Sequence, residues 1–246
     1  MRLKVLLAGC ALSLIAFRAE AAQVQVAVAA NFTEPAREIA ALFKRKTGND
    51  ALLSFGASGV FYAQISHGAP FQILLSADQE RPKQAVENGY GVPGSRFTYA
   101  IGKLALWSKV IDVSKGDEAL KSGAISKLSI ANPKSAPYGA AAIETMKALG
   151  VYDKLEPKIV QGTSIAQAFE FVDTKNAEAG FVALSQLYRM KEGTRWVVPA
   201  QLYAPIRQDA VLLKNAERDE AAQAFLAFLK GPEARAIVER FGYALP

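Results

Sequence analysis

Val24-Gln25-Val26-Ala27-Val28-Ala29-Ala30-Asn31-Phe32-Thr33-Glu34-Pro35-Ala36 contains the first change of period in the chain. Val24, Val26 and Val28 alternate, the two-residue repeat of a strand. Ala36, Ile39, Ala40 and Phe43 then recur at helical spacing, with Pro35 suited to a first turn and Thr33 able to cap it. Gly48 is placed to end that helix. The same hand-over repeats downstream. Residues 51–55 predict a strand and a helix opens just after Ser58; residues 72–76 predict a third strand and 82–88 a third helix. Further on, strands are expected at 104–110, 128–131, 179–182, 195–198 and 210–213. Helices are expected at 138–149 and from a Ser164 cap to Val172, and two more, with the stripe Ala222, Phe225, Leu226, Leu229 and the start at Pro232, close the chain. Strands alternating with helices predict an α/β architecture with largely parallel sheets.

Four predicted strand ends run directly into a residue that opens a helix: Asn31, Ser58, Tyr138 and Ser164. Ligands of open α/β sheets bind at the carboxyl ends of strands, where helix N-termini gather. Gly56-Ala57-Ser58-Gly59 has the composition of an anion-cradling turn and equally that of a flexible strand-to-helix connection.

Composition removes several classes of function. The 246 residues suffice for one large domain or two small ones, and 51% apolar with 21% charged residues is ordinary for a globular protein. The formal charge of +6 is spread along the chain without a basic cluster interleaved with aromatics, so no nucleic-acid partner is expected. His67 is the only histidine and sits in Ser66-His67-Gly68, where an exposed helix-end role is expected. No Gly-x-Ser-x-Gly elbow, P-loop or Gly-x-Gly-x-x-Gly occurs. Asp50 and Asp78 are read as solvated surface rather than an acid/base pair, and Tyr188-Arg189-Met190-Lys191 as a solvated helix end. An enzyme is not expected, and neither is a cofactor.

The N-terminus reads as an export signal over residues 1–21. Arg2 and Lys4 form a basic start, an apolar run follows to Phe17, and Ala19-Glu20-Ala21 fits the small-x-small cleavage rule. Leu7-Ala8-Gly9-Cys10 has the local pattern of a lipoprotein site, but only three apolar residues separate Lys4 from Ala8 and the apolar run continues past Cys10. The cysteine is therefore read as part of the signal core. Removing Arg2, Lys4, Arg18 and Glu20 lowers the formal charge from +6 to about +4 and leaves no cysteine, hence no disulfide or thiolate chemistry.

Over nearly the whole mature chain, from Val24 to Leu245, ordered segments resemble the periplasmic molybdate-binding proteins of ABC importers. They are Val28-Ala29-Ala30-Asn31-Phe32, Ser54-Phe55-Gly56-Ala57-Ser58-Gly59, and Gly68-Ala69-Pro70 leading to Leu75-Ser76-Ala77-Asp78. Ala131-Asn132-Pro133 with Ala136-Pro137-Tyr138-Gly139 follows, then Gly180-Phe181-Val182-Ala183-Leu184-Ser185, Phe228-Leu229-Lys230-Gly231-Pro232 and Phe241-Gly242-Tyr243. The resemblance implies a two-lobed periplasmic binding protein fold of type II with the ligand cleft between the lobes. One lobe would hold 22–100 with 205–246 and the other 101–204, with hinge crossovers near Ala100-Ile101 and Tyr203–Pro205. It implies molybdate, and with it tungstate, as ligand, the molybdenum being held as molybdate through the same residues that bind the oxyanion. The oxyanion would be held by Asn31 and Ser58 from one lobe and by Tyr138 and Ile165 from the other, through backbone N–H groups and the Ser58 hydroxyl. The alternative ligand is sulfate or another small oxyanion. The expected partner is an inner-membrane ABC permease, and the protein is expected to be a periplasmic monomer. Some members of the family carry a tyrosine hydroxyl where this chain has Ala183, and Gln72 stands where an acidic residue is common. If the signal reading is right, mass spectrometry of the exported protein will find Ala22 at the N-terminus; an acylated Cys10 would overturn it.

Overall fold

The computed structural model describes residues 22–246. The segment read as an export signal, 1–21 with Cys10, lies outside them. In chain order the regular elements are β1 (Gln23–Ala29), α1 (Thr33–Thr47), β2 (Asp50–Gly56), α2 (Ser58–Ser66), β3 (Ile73–Leu75), α3 (Glu80–Glu87) and β4 (Phe97–Gly102). Then come β5 (Leu104–Ser108), α4 (Asp117–Ser122), β6 (Leu128–Ala131), α5 (Pro137–Ala148), α6 (Tyr152–Leu155), β7 (Ile159–Gly162), α7 (Ile165–Asp173), β8 (Ala179–Ala183) and β9 (Thr194–Val197). β10 (Ile206–Leu212), α8 (Glu220–Lys230) and α9 (Pro232–Arg240) complete the chain.

The strands form two five-stranded sheets, in the orders β2-β1-β3-β10-β4 and β7-β6-β8-β5-β9. Each is built on one plan. A parallel strand lies between two others, β1 between β2 and β3, and β6 between β7 and β8. Next to that trio runs a strand in the opposite sense, β10 in the first sheet and β5 in the second. The expectation of largely parallel sheets is therefore corrected, because half the pairings among the described residues are antiparallel. Periodicity reports which face a side chain takes and not the direction in which a strand runs. The parallel centre behaves as such a centre must. Val26, Ala27, Val28, Ile73, Leu74 and Leu75 are buried on both faces, covered by helices.

Local chemistry accounts for most element ends. Gly48, at φ +80°, takes the left-handed position that closes α1, its N–H bonding to Lys44 O. Ser164 caps α7 by accepting the Gln167 N–H, and Asp219 caps α8 through the Ala222 N–H at 2.8 Å. Thr33 is not a cap. A 3-10 turn over Ala30–Phe32 separates β1 from α1, and the Thr33 hydroxyl donates to Ala30 O at 2.8 Å from inside the helix.

The chain passes from the first sheet to the second at Lys103 and returns after Tyr203, whose hydroxyl accepts the Leu104 N–H at 3.1 Å. Ala100 and Ile101 are internal to β4, paired with Gln208 and Arg207 of β10. Each sheet has its own core. Phe32, Ile39, Phe43, Phe225 and Phe241 fill the first, while Leu104, Leu106, Met146 and Phe181 anchor the second. The alanines at the ends of the first-lobe strands, Ala29, Ala30, Ala57 and Ala77, belong to the second core. Small residues there let the two lobes approach closely.

Phe43 is fully buried and packs edge-on against Phe225, centroids 5.2 Å apart. Phe43→Ala is expected to destabilise the protein by about 3–5 kcal/mol, the range for deleting a core phenyl ring. Urea unfolding checks this, and a loss below about 1 kcal/mol would show that the α1–α8 contact collapses without penalty.

Candidate functional site

Four strand-to-helix junctions meet between the lobes. β1 ends at the Ala30–Phe32 turn, β2 passes through Ala57 into α2, β6 leads through Asn132–Ala136 into α5, and β7 through Ser164 into α7. Asn31, Ser58, Tyr138 and Ile165 all line one small cavity there. The rest of its wall is alanine, glycine and Pro137, and no charged side chain reaches it. Gly139 makes the α5 side of this junction possible. A Cβ at that position would collide with Ala131 O at the end of β6. This is the physical content of the Pro-Tyr-Gly turn.

The wall presents donors. Ser58 and Ile165 are the first residues of α2 and α7, and Tyr138 is the second of α5. Amides at such positions have no acceptor within their own helix. The Ser58 hydroxyl accepts the Ala77 N–H at 2.9 Å, which leaves its own proton free to be donated. The Gly59 N–H is already used, bonding to Ser135 O of the opposite lobe at 2.9 Å. Positive helix ends reinforce the preference for negative charge.

The Asn31 side chain has another task. Its Nδ2 donates to Gln208 Oε1 at 2.9 Å and to the Tyr243 hydroxyl at 3.0 Å, so both amide hydrogens are engaged by protein. Its backbone oxygen accepts the Ser185 hydroxyl at 2.9 Å and the Tyr243 hydroxyl at 2.7 Å. What Asn31 offers the cavity is its backbone N–H, in the first turn of the 3-10 segment. Behind Tyr138, the phenol accepts Gln208 Nε2 at 3.2 Å. Burial pushes the phenols of Tyr138 and Tyr243 up, so both remain neutral at neutral pH.

The lobes are closed on each other. Besides the Gly59–Ser135 bond, Arg81 donates to Lys134 O at 3.0 Å while paired with Asp78. On the far rim Arg189 pairs with Glu38 at 3.2 Å and Tyr188 packs on Phe241 at 4.5 Å. The segment read as a solvated helix end, 188–191, is exposed at Tyr188, Arg189 and Lys191, and Tyr188 and Arg189 in addition reach across to the other lobe. Ser185, Gln208, Tyr243 and Arg81 were given no role in the sequence reading. The available signals were the polar run Arg207-Gln208-Asp209 in β10 and the presence of Ser185 and Tyr243 in the segments that carry the resemblance.

Residues outside the cavity have plain structural partners. His67 sits at the end of α2 with Nδ1 2.7 Å from Ala63 O. Asp50 pairs with Lys44 at 2.6 Å. Gln72 joins two elements, accepting the Gln25 N–H at 2.8 Å and donating to Asp219 at 2.6 Å. A carboxylate at position 72 would face Asp219. Ala183 is buried in β8 and is not part of the cavity wall. Among the described residues no group of three or more His, Cys, Asp or Glu side chains could hold a metal ion.

The family model described as bacterial extracellular solute-binding protein matches residues 24–244. The molybdate-binding protein ModA of Rhodobacter capsulatus is 57% identical over 231 residues, covering 93% of this chain and 91% of that protein. Its counterpart from Azotobacter vinelandii is 51% identical over 236 residues, covering 94% of each. The solved Azotobacter vinelandii periplasmic molybdate-binding protein matches with a TM-score of 0.87 at 39% identity, over 91% of this chain and 99% of that one. With a family model spanning nearly all described residues, and relatives of this identity covering nine-tenths of its length, the chain belongs to the bacterial extracellular solute-binding protein family, together with the molybdate-binding proteins it resembles.

Proposed function

We propose that this protein binds molybdate, and tungstate with it, in the periplasm and delivers it as a monomer to an inner-membrane ABC permease. In this reading residues 22–100 with 205–246 form one lobe, 101–204 form the other, and the paired strands β4 and β10 form the hinge. The observation that carries the reading is the convergence of helix and turn N-termini from both lobes on one cavity without a charged side chain. Molybdate is a dianion. It would be bound by the N–H groups of Asn31, Ser58, Tyr138 and Ile165 and by the Ser58 hydroxyl. Hydrogen bonds to a charged group contribute about 1.5–3 kcal/mol each, so a handful offsets the cost of closing two lobes around the ion.

Neutral donors also select. An oxyanion carrying a proton, such as hydrogen phosphate, would turn an O–H toward a donor. Sulfate carries no proton near neutral pH, and its exclusion would rest on its smaller size. Solute binding is not catalysis, and the cavity contains no nucleophile paired with a base. Calorimetric titration is expected to give tight one-to-one binding of molybdate and tungstate with sulfate far weaker; sulfate binding as tightly or more so would replace the ligand.

Two variants test the wall. Ser58→Ala removes the hydroxyl donor and leaves the backbone donors, so molybdate affinity is expected to fall by about 1.5–3 kcal/mol. An unchanged affinity in a normally melting variant would move the ligand elsewhere. Asn31→Asp is nearly isosteric, but it sets a carboxylate against Gln208 Oε1 and beside the bound dianion. Burial and the dianion both raise that carboxyl's pKa, so its protonated form gains population as pH falls. Affinity is expected to be poor at neutral pH and to improve toward pH 5. Wild-type affinity at neutral pH in a variant that melts normally would disprove this.

A further inference from the structure

Gln208 is fully buried on β10 and belongs to no helix terminus, yet it touches both halves of the cavity wall. Its Oε1 accepts Asn31 Nδ2 at 2.9 Å and the Tyr99 hydroxyl at 3.1 Å, both from the first lobe. Its Nε2 donates to the Tyr138 hydroxyl at 3.2 Å, in the second lobe. A carboxamide offers one acceptor and one donor in a fixed plane, and here each side faces a different lobe. Gln208 pairs with Ala100 in the strand pair where the chain leaves the first sheet, next to the register shift between Gln208 and Asp209. It therefore sits on the strands that must bend or pivot when the lobes separate.

A second observation is independent of those bonds. Gly102 ends β4 on the same strand pair. A Cβ there would collide with the Tyr138 hydroxyl and come within 2.6 Å of Gln208 Nε2. Its φ is not in the left-handed region, so the backbone would accept alanine and only the space forbids it. The strand pair thus leaves a gap where Gln208 and Tyr138 meet.

We infer that Gln208 is a positioning residue for oxyanion capture: from the hinge strands it ties the Asn31 turn to the Tyr138 end of α5, so that the donors of the two lobes come into register only when the lobes close. The inference rests on the reading of the cavity as an oxyanion site. Gln208 itself does not touch the ligand. Its Asn31 and Tyr99 bonds lie within the first lobe and persist when the lobes part, whereas the Tyr138 bond forms on closure. Deleting the Tyr138 hydroxyl should therefore weaken binding while leaving the open, ligand-free protein as stable as before.

The test is a double-mutant cycle on the exported protein with Gln208→Met and Tyr138→Phe, read as dissociation constants by calorimetry with sodium molybdate and, in parallel, sodium sulfate. Melting of each ligand-free variant is recorded alongside. Tyr138→Phe, which deletes one neutral hydrogen bond, is expected to bind about three- to tenfold more weakly; Gln208→Met, which deletes three, is expected to lose at least as much, and the double variant to bind no more weakly than Gln208→Met. Ligand-free Tyr138→Phe is expected to melt like wild type, and Gly102→Ala to lose affinity as the singles do. Fully multiplicative losses in the double variant would overturn the coupling. So would affinities within twofold of wild type accompanied by lowered ligand-free melting, the signature of a packing role alone. A wild type that takes sulfate and not molybdate would change the ligand and leave the cycle readable on sulfate; a wild type that takes neither would overturn both readings.

Discussion

A backbone N–H in the first turn of a helix has no acceptor of its own, and the rest of this structure is arranged around that fact. A dianion can be taken out of water without a countercharge only if enough such donors point at it together. No single helix supplies them. Two sheets built on one plan each bring helix starts to the carboxyl ends of their parallel strands, and closing one against the other gathers the donors into one cavity. The absence of charged side chains from the wall follows from the same logic. A lysine or arginine there would attract any anion, whereas fixed neutral donors discriminate by geometry and by protonation state.

Closure imposes its own demands. The backbones of the two lobes come within hydrogen-bond distance at Gly59 and Ser135, which is possible because small residues line the seam. Side chain at Gly59 would press on Arg81 and on the Ser135 backbone. The rims then add polar contacts of modest strength. Arg189 with Glu38 is exposed and screened by salt, so it guides the fit more than it holds it. The buried polar groups, Asn31, Ser185, Gln208 and Tyr243, are mutually satisfied, and no buried side-chain polar atom among the described residues lacks a partner. In a low-dielectric seam that completeness matters, because one orphaned group would cost more than its bond contributes.

The sequence by itself determined what depends on neighbouring residues. Alternation in Val24–Val26–Val28, the helical stripe from Ala36 to Phe43, the Ser164 cap and the helix starts at Ser58 and Pro137 are written in short windows, because strand period, helix period and turn chemistry are local. Asn31, Ser58 and Tyr138 stood out as strand ends, whereas Ile165, like the role of all four, was implied by the family resemblance alone; the four line one cavity. β4 and β7 escaped notice because FTYAIG and IVQG carry too little alternation to stand apart. Only the tertiary structure decided strand direction, the closed seam, and the engagement of both Asn31 amide hydrogens by protein. The partners that hold that amide, Gln208 and Tyr243, lie 177 and 212 residues away along the chain, and the bond from Gln208 to Tyr138 spans 70. No local pattern encodes such meetings, since they exist only after two sheets have formed, packed and closed on each other.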